Sequence, residues 1–411
     1  MSARVAALSA LIACRKQNAW SDGILKEYIV RDKLDRRDAA LASRLCYGVL
    51  QNRLLLDHYI SAFLRGRLKD LQPVVLDILR LGAYQITMMD KIPASAAVNE
   101  SVEMGKKYAN RQAAGLINGV LRSIARAGDG LPQPPDLATR YSHSPALVSL
   151  LRENVGEALL EPLLRSHNEA PATMLQVNPL LAETDEVLSL LQESGVEAER
   201  HPWLEGCLLA SATGNLEQLP VFTLGKVSVQ DPAARLCVLA ADPKPGMRVL
   251  DTCSAPGGKS FAAAMLMENR GEILSCDIHS HKVRIIEKGA ARLGIDIITA
   301  LERDARDHNE AWDGKFDLVI ADVPCSGLGV IRKKPDIRWK DLDQLAALPA
   351  LQLEILRSVS RYVKPGGVLL YSTCTILKRE NEEVVRQFLD SHEEFCTEPL
   401  ELPEEFERNE S

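Results

Sequence analysis

The sequence predicts a multidomain chain with an all-α front region, a small α+β linking module and a C-terminal α/β region built on a parallel sheet. Three observations predict this organisation. Apolar residues recur at helical spacing through residues 1–130. A linker with two glycines and three prolines, GDGLPQPPD, then occupies 128–136. Strand-like and helical segments alternate between residues 236 and 390.

The front region, residues 1–130, shows few strand signals. Its helical spacing is clearest in VAALSALIA, in ALASRLCYGVLQNRLLLDHYI and in VVLDILRLGAYQITMM. It contains 20 Lys and Arg against 12 Asp and Glu, a net charge of +8, although the whole chain has a net charge of −7. A basic region fits a polyanionic partner such as nucleic acid. A solvated helical surface explains the same charge equally well.

The middle region, residues 137–235, has a weaker signature. Strand-like TMLQVN and GCLLAS flank a helical segment around DEVLSLLQESG, which predicts a small α+β module. The last region, residues 236–411, predicts βαβ units, because β-rich segments alternate with helical ones. These β-rich segments are MRVLDTC, EILSCD, DIITA, DLVIADV and GVLLYST.

The composition excludes several classes of protein. Hydrophobic residues make up 46% and charged residues 26% of the chain, which is typical of a soluble globular protein. No apolar run reaches the roughly 18–20 residues of a membrane span, so we expect a cytoplasmic protein with no membrane partner. The nine cysteines are widely spaced and form no Cys-x-x-Cys pair. That spacing argues against a disulfide framework and a structural zinc site, and we expect no metal.

A glycine-containing turn follows the first strand of the α/β region, in VLDTCSAPGGKS at 249–260. The strand ends at Asp251, and a helix begins near Lys259. Gly257 and Gly258 allow the backbone to approach a ligand closely, and the helix N-terminus offers free N–H groups to an anion. The spacing is not that of a Walker phosphate loop. A phosphate and the carboxylate of a methionine both fit this turn.

Acidic residues follow the next two strands. Asp277 ends EILSCD and can accept hydrogen bonds from ribose hydroxyls, although a helix N-cap explains it when it is taken alone. Asp304 follows the third strand and can accept a hydrogen bond from an adenine amino group, although a loop acid explains it alone. Together with Asp251 they place an acid after each of three successive strands. The set predicts a nucleoside-containing ligand at the carboxyl ends of the sheet.

Two cysteines follow the last two strands at the same edge of the predicted sheet. Asp322, Pro324 and Cys325 come where DLVIADV ends, and Thr373 and Cys374 come where GVLLYST ends. A cysteine at such a place usually serves packing. Two of them beside one predicted ligand site favour covalent chemistry instead.

Three blocks carry a resemblance. CSAPGGKS, ADVPCSGLGVIRKKPDIRW and YSTCTILKRENEEV resemble the signature blocks of the Nop/Sun family of RNA cytosine-C5 methyltransferases. The front segment AAVNESVEMGKKYANRQAAGLINGVLRSI resembles a NusB-like RNA-binding domain, and SVQDPAARL resembles the start of the family's catalytic domain. The resemblance implies a NusB-like helical domain at 1–130, a linking module at 137–235 and a Rossmann-like class I methyltransferase domain at 236–411.

The family resemblance also implies a function. The chain is expected to transfer a methyl group from S-adenosyl-L-methionine to C5 of a cytosine, and the NusB-like domain favours 16S ribosomal RNA as the partner. Cys374 is the implied nucleophile at C6, Cys325 assists its release, and Asp322 contacts cytosine N3 or the cofactor's ammonium. The implied cofactor-binding residues are Cys253, Ser254, Ala255, Pro256, Gly257, Gly258, Lys259, Asp277, Asp304 and Asp322. Positive charge near Cys374 should favour its thiolate, and Lys259 is the candidate.

Other expectations stay open at this point. The basic residues Arg332, Lys333 and Lys334 fit RNA phosphate or a solvated loop. The family's usual final strand, with a Gly-Phe-Phe-type block, does not occur before Ser411, so we expect either a truncated chain or a sheet that lacks this strand. We expect a monomer. The alternatives are a methyltransferase of tRNA or another RNA, and a non-catalytic RNA-binding adaptor.

Overall fold

The computed structural model describes residues 2–17, 20–170, 172–211 and 214–399, and its contacts divide them into two compact units. The first unit contains the described residues up to Ala170 together with Val330–Leu342. The second contains the rest of the described chain. The segment Val330–Leu342, which the sequence assigns to the α/β region, thus packs with the helical region instead.

The first unit is helical over its described residues. The prediction of an all-α front region is therefore confirmed in its secondary structure. Its helices are α1 (Ala3–Gln17), α2 (Ser21–Arg31), α3 (Arg36–Gln51), α4 (Arg53–Phe63), α5 (Pro73–Met88), α6 (Ala94–Tyr108), α7 (Arg111–Ala127), α8 (Leu137–Tyr141) and α9 (Pro145–Ser166).

The helix α7 shows how the sequence specifies this packing. Its buried residues recur every three or four positions, at Ala114, Ile117, Val120, Leu121 and Ile124, so they form one stripe that faces the shared core. The Asn110 side chain accepts a hydrogen bond from the N–H of Ala113 at 2.9 Å and caps the first turn. A Cβ on Gly82 of α5 would lie 2.4 Å from a methyl of Leu121. Glycine at that position therefore permits close approach of α5 and α7.

Arg338 anchors the segment Val330–Leu342 inside the first unit. Its side chain is 1% exposed and has no carboxylate partner among the described residues. The guanidinium donates instead to the carbonyl oxygens of Gln51 and Tyr141, to that of His167 at 2.6 Å and to the Asn168 side chain at 2.5 Å. Burial lowers the pKa of Arg338 to about 9, so the guanidinium still carries its charge at neutral pH.

A buried histidine pair lies beside this guanidinium. The Nε2 atom of His143 and the Nδ1 atom of His167 are 3.0 Å apart, and both rings are nearly inaccessible to solvent. Burial, the charge of Arg338 and the neighbouring ring lower the pKa of His143 to about 2. Burial and Arg338 lower the pKa of His167 to about 4. Both imidazoles are therefore neutral in the folded chain at neutral pH.

The second unit contains two sheets. The smaller is antiparallel, in the order β2-β3-β1-β4. Strands β1 and β3 and the helix between them confirm the predicted mixed module, whereas β2 and β4 are short, and their sequences EAER and VSV gave no strand signal. The elements are β1 (Thr173–Val177), α10 (Thr184–Glu193), β2 (Glu197–Arg200), β3 (Cys207–Ser211), α11 (Pro220–Thr223) and β4 (Val227–Val229).

The larger sheet has the order β7-β6-β5-β8-β9, and every described neighbour pair is parallel. All five predicted strands are present. Its elements are α12 (Pro232–Ala241), β5 (Arg248–Asp251), α13 (Gly258–Leu266), β6 (Glu272–Asp277), α14 (Ser280–Arg292), β7 (Ile298–Glu302), β8 (Phe316–Asp322), α15 (Leu348–Val359), β9 (Val363–Ser372) and α16 (Glu382–Leu389). The strand order reverses direction at β5 and β8, the switch point where open α/β sheets bind ligands. The expectation of a missing final strand concerns in part residues 400–411, which lie outside the described residues.

Side-chain amides join the smaller sheet to the larger one. Asn178 donates to the carbonyl oxygens of Gly225 at 3.0 Å and Leu293 at 2.8 Å. Gln230, just after β4, donates to the carbonyl of Gly258 at 3.1 Å. The smaller sheet is therefore tied directly to the glycine turn after β5.

The histidine pair predicts an acid-labile fold. Between pH 6.5 and 4 the unfolded chain takes up protons on His143 and His167 that the folded chain excludes, so the free energy of unfolding should fall as the pH falls. Each group contributes up to about 1.4 kcal/mol per pH unit. Denaturant titrations should show a flatter pH dependence for a His143→Asn, His167→Asn variant. The exposed His281→Asn variant is the control, and equal slopes for the double variant and the wild type would contradict the account.

Candidate active site

The carboxyl ends of β5, β6, β8 and β9 bring most of the predicted site residues to one edge of the larger sheet. In register, Asp251 lies opposite Ser275 on β6 and Ile320 on β8. Asp322 lies opposite Ser372, the last residue of β9. Since the strands are parallel, the turns after them leave the sheet at the same edge.

The turn after β5 is held by the strands on both sides. The N–H and hydroxyl of Thr252 donate to the carbonyl of Ile320 at 2.9 and 3.0 Å. The N–H and hydroxyl of Ser254 donate to the carbonyl of Cys276 at 2.8 and 3.1 Å. These bonds fix Cys253 between two anchored residues, and burial raises the pKa of the Cys253 thiol to about 12.

Gly257 is required by the geometry of this turn. Its φ is +108°, and a Cβ there would lie 2.4 Å from the ring of Phe261. The next residue, Gly258, begins α13 and has no comparable restriction. The first N–H groups of α13 have no acceptor within the helix. The turn from Cys253 to Lys259, which includes Ala255 and Pro256, thus ends in a group of backbone donors suited to an anion.

Asp251 is a fully buried acid behind this turn. Its Oδ2 accepts a hydrogen bond from the Ser260 hydroxyl at 2.7 Å, and that hydroxyl in turn accepts from Ser275 at 2.7 Å. Its Oδ1 has no partner among the described residues. Burial raises the pKa of Asp251 to about 7, and the negative charge of Asp322 adds to the effect, against the bond from Ser260.

The two acids predicted for the nucleoside differ in their surroundings. Asp277 is 6% exposed, accepts from the N–H of His279 at 3.0 Å and lies 3.6 Å from the ammonium of Lys282. Asp304 forms a two-pronged ion pair with Arg306, with Nη2 2.6 Å from Oδ2. The hydrogen bond from Arg306 lowers the pKa of Asp304. The side chain of Asp304 is thus already paired with a guanidinium.

Asp322 is held by two donors. Its Oδ2 is 2.6 Å from the ammonium of Lys259, and its Oδ1 accepts from the hydroxyl of Ser372 at 2.7 Å. Burial lowers the pKa of Lys259, but the charge and hydrogen bond of Asp322 outweigh it, so that the net shift is upward. The ammonium of Lys259 is therefore engaged with Asp322. Ser372 was not singled out from the sequence, although its place at the end of β9, beside Thr373 and Cys374, could have identified it.

The two predicted cysteines meet at this edge. The sulfur atoms of Cys325 and Cys374 are 3.1 Å apart, and the N–H of Cys374 donates to the sulfur of Cys325 at 3.2 Å. The hydrogen bond with Cys374, burial and the negative charge of Cys374 together raise the pKa of Cys325 well above that of a free thiol. Cys374 is exposed and Cys325 is partly buried. Cys374 is therefore the sulfur of the pair that is accessible at this edge.

The predicted basic loop belongs to the first unit. Arg332 belongs to the first unit, where its guanidinium donates to the carbonyl of Ala170 at 2.9 Å and lies 3.8 Å from the carboxylate of Glu169. Lys333 and Lys334 are exposed. Within the described part of the chain, no cluster of three or more His, Cys, Asp or Glu has metal-binding geometry. No helix there is long and apolar enough to cross a membrane.

Asp251 predicts a second pH dependence, of opposite sign to that of the histidine pair. Its pKa is raised on folding, so its contribution to stability is present below pH 4 and is lost as the pH rises towards 7. An Asp251→Asn variant, which keeps an acceptor for Ser260, should gain stability relative to the wild type between pH 4 and 7. Denaturant titrations of the exposed Asp296→Asn variant provide the control. A constant difference between Asp251→Asn and the wild type across this range would contradict the shift.

Comparison with protein families covers almost the whole chain. A NusB family model matches residues 1–126, and a ferredoxin-like domain of RsmF/B-like methyltransferases matches residues 143–216. A model described as 16S rRNA methyltransferase RsmB/F matches residues 238–410. The predicted fold class is confirmed: a NusB-like helical domain, a small α+β module and a Rossmann-like methyltransferase domain.

Individual relatives agree with these matches. A probable ribosomal RNA small subunit methyltransferase B of Bacillus subtilis (strain 168) is 40% identical over 401 residues, 96% of this chain and 89% of the relative. The ribosomal RNA small subunit methyltransferase B of Erwinia tasmaniensis is 36% identical over 360 residues, 87% of this chain and 83% of the relative.

Solved structures are also similar. The crystal structure of PH0851 has a TM-score of 0.82 at 28% identity and covers 98% of this chain and 92% of its own. A methyltransferase homologue from Pyrococcus horikoshii has a TM-score of 0.55 at 26% identity and covers 63% of this chain and 83% of its own. The resemblance seen in the sequence is confirmed, and the chain belongs to the ribosomal RNA small subunit methyltransferase B family.

Proposed function

We propose that this chain transfers a methyl group from S-adenosyl-L-methionine to C5 of a cytosine in 16S ribosomal RNA, through a covalent bond between Cys374 and C6. The observation that carries the proposal is the pair of thiols 3.1 Å apart beside Asp322. Relatives named ribosomal RNA small subunit methyltransferase B support rRNA as the substrate class. The NusB-like domain supports an RNA partner.

The residues at the β5 and β6 ends fit such a methyl donor. The first turn of α13 offers backbone N–H groups for a carboxylate, next to the Gly257 backbone. The buried Asp277 provides an acceptor for ribose hydroxyls at the end of β6. Asp322 offers carboxylate oxygens for an ammonium, and Asp304 an acceptor for an amino group at the end of β7. When bound there, the donor would supply an electrophilic methyl group.

Cys374 suits the role of nucleophile. Cytosine C5 is a weak nucleophile, and attack of a thiolate on C6 moves electron density to C5. Cys374 is the exposed member of the pair, and the hydrogen bond with Cys374 together with burial raises the pKa of Cys325, which favours a protonated Cys325. A proton taken up at N3 neutralises the negative charge that attack at C6 builds on the ring, and the carboxylate of Asp322, held by Lys259 and Ser372, can accept a hydrogen bond from that protonated N3.

Cys325 suits the role of releasing group. After methylation the C5 proton passes to solvent, the C5–C6 double bond re-forms, and the bond between C6 and the sulfur of Cys374 breaks. A protonated Cys325 can donate a hydrogen bond to the departing thiolate, at the 3.1 Å separation observed between the two sulfurs. The target base must be unpaired or flipped out, because a thiol cannot reach C6 within a stacked helix.

The experiment is a methylation assay with labelled S-adenosyl-L-methionine and 16S rRNA, followed by mapping of 5-methylcytosine. Wild-type protein should label one cytosine position. Cys374→Ala should abolish labelling, because no C6 adduct can form. Cys325→Ala should accumulate a denaturation-resistant protein–RNA adduct, and the Cys325→Ala, Cys374→Ala variant should lose it.

Each role can be contradicted separately in this assay. Full activity of Cys374→Ala would remove the nucleophile assignment, and a free RNA product from Cys325→Ala at the wild-type rate would remove the release assignment. Labelling of tRNA but not of 16S rRNA would replace the proposed substrate. The exposed Cys396→Ala variant is the control for loss of a thiol.

Ser372 gives a further prediction. Ser372→Ala removes one of the two donors that hold Asp322, so Asp322 should lose its fixed orientation while Cys325 and Cys374 keep theirs. We expect kcat to fall roughly tenfold, as for loss of one hydrogen bond to a charged group. Ser372→Thr keeps the hydroxyl and should recover most of the activity in the same assay. Wild-type kcat in Ser372→Ala would show that this bond does not support the reaction.

A further inference from the structure

We infer that Glu380 and Asn381 are positioning residues that hold the two cysteine turns in register, one turn by each residue. In the proposed reaction neither residue contacts the cofactor or the substrate. The catalytic part of this inference rests on the proposed function. Glu380 ends a single 3₁₀ turn at Lys378–Glu380, and Asn381 precedes α16. The side chain of Glu380 contacts the turn after β8, and that of Asn381 contacts the turn after β9.

Glu380 holds the turn that carries Cys325. The side chain is fully buried, and its Oε2 accepts from the N–H of Ser326 at 2.9 Å and from the amide of Gln352 at 2.9 Å. The same Gln352 amide donates to the carbonyl of Pro324 at 3.0 Å. The residues immediately before and after Cys325 are therefore fixed through one carboxylate.

Asn381 holds the turn that carries Cys374 in the same manner. Its Oδ1 accepts from the hydroxyl of Thr373 at 2.6 Å, and its Nδ2 donates to the carbonyl of Thr375 at 3.1 Å. The residues immediately before and after Cys374 are again the ones that are fixed.

Direct bonds between the two turns complete the arrangement. The hydroxyls of Ser326 and Thr375 are 2.6 Å apart, and the N–H of Gly329 donates to the carbonyl of Cys374 at 3.0 Å. Because Glu380 and Asn381 are neighbours in the chain, a movement of one turn is transmitted to the other. The 3.1 Å separation of the sulfurs is thus set by a closed set of hydrogen bonds.

The composition of this cluster argues for a role beyond stability. Glu380 has no cation partner among the described residues, and its Oε1 is buried without a hydrogen bond there. A buried carboxylate paired only with neutral donors is costly, and a well-packed apolar residue is usually the more stable choice. What the carboxylate provides is two convergent hydrogen bonds with fixed direction, which define one arrangement of the Cys325 turn.

The sulfur separation can be measured without any methylation activity. Diamide takes two electrons and two protons from a pair of thiols and leaves a disulfide, so its reaction with the full-length chain reports how often Cys325 and Cys374 meet. Mass spectrometry of proteolytic peptides follows the Cys325–Cys374 disulfide over time. Alkylation of Cys374 by iodoacetamide, measured in parallel, corrects for any change in its reactivity.

Glu380→Met and Asn381→Ala should each slow disulfide formation relative to alkylation by roughly tenfold, because each variant loses two hydrogen bonds to a cysteine turn. Glu383→Met, which removes an exposed carboxylate from the next turn, should leave the ratio of the disulfide rate to the alkylation rate unchanged. Gln352→Met and Thr373→Val remove the partners of Glu380 and Asn381 and should slow disulfide formation to the same extent. They replace the first two variants if those do not fold.

The variants of Glu380 and Asn381 should also affect different steps in the methylation assay. Glu380→Met loosens the Cys325 turn and should accumulate the RNA adduct, whereas Asn381→Ala loosens the Cys374 turn and should slow adduct formation. In both variants kcat should fall while KM for RNA stays constant. A purely structural role would lower the melting temperature and leave the disulfide ratio and the adduct level as in the wild type.

The outcomes distinguish this inference from the proposed function. Wild-type disulfide ratios in the folded variants would overturn the positioning role, whether or not the chain methylates RNA. Slowed disulfide formation in a chain that never forms an RNA adduct would overturn the proposed function and retain the positioning role of the two residues.

Discussion

The contact between Cys325 and Cys374 depends on the parallel pairing of β8 and β9. That pairing places Asp322 opposite Ser372, so that two turns begin at the same height on the same edge of the sheet. Cys325 is then the third residue after Asp322 and Cys374 the second after Ser372, and their sulfurs lie 3.1 Å apart. A shift of register by one residue would turn the side chains of one strand to the opposite face and separate the pair.

Charge at this edge is organised around Asp322 rather than around a thiol. Lys259, expected from the sequence to favour the Cys374 thiolate, places its ammonium 2.6 Å from Asp322. Asp251 lies behind the same turn with its pKa raised by burial. The two sulfurs differ instead in their exposure, because Cys374 is exposed and Cys325 is partly buried. In the proposed reaction, Cys374 is the attacking sulfur and Cys325 the donor that assists its departure.

The sequence predicted those features that local patterns determine. Alternating β-rich and helical segments located all five strands of the larger sheet, and the ends of those strands located Asp251, Asp277 and Asp322. The glycine pattern located the turn at Gly257, where the positive φ and the contact with Phe261 exclude any side chain. These features follow from spacing along the chain, which the sequence displays directly.

The features that were not predicted depend on side chains distant in sequence. Ser372 holds Asp322 from 50 positions away along the chain, and no spacing rule predicts that hydrogen bond. The ion pair between Asp304 and Arg306 is an exception, because these residues are close in sequence and were still not predicted to pair. The segment Val330–Leu342 packs with the helical unit because Arg338 finds four oxygen acceptors there, up to 287 positions away along the chain. Glu380 lies in the block YSTCTILKRENEEV that carries the family resemblance, but only the folded structure shows that its carboxylate bonds the residues around Cys325.

The central claim is that Cys374 attacks and Cys325 does not, and it is tested most directly by locating the covalent bond. RNA that carries 5-fluorocytosine at the target position traps the adduct, because the fluorine at C5 cannot leave as a proton does. Wild-type protein should be linked to this RNA, and mass spectrometry should find the nucleotide on the peptide that contains Cys374. A nucleotide found on the peptide that contains Cys325 would contradict the account.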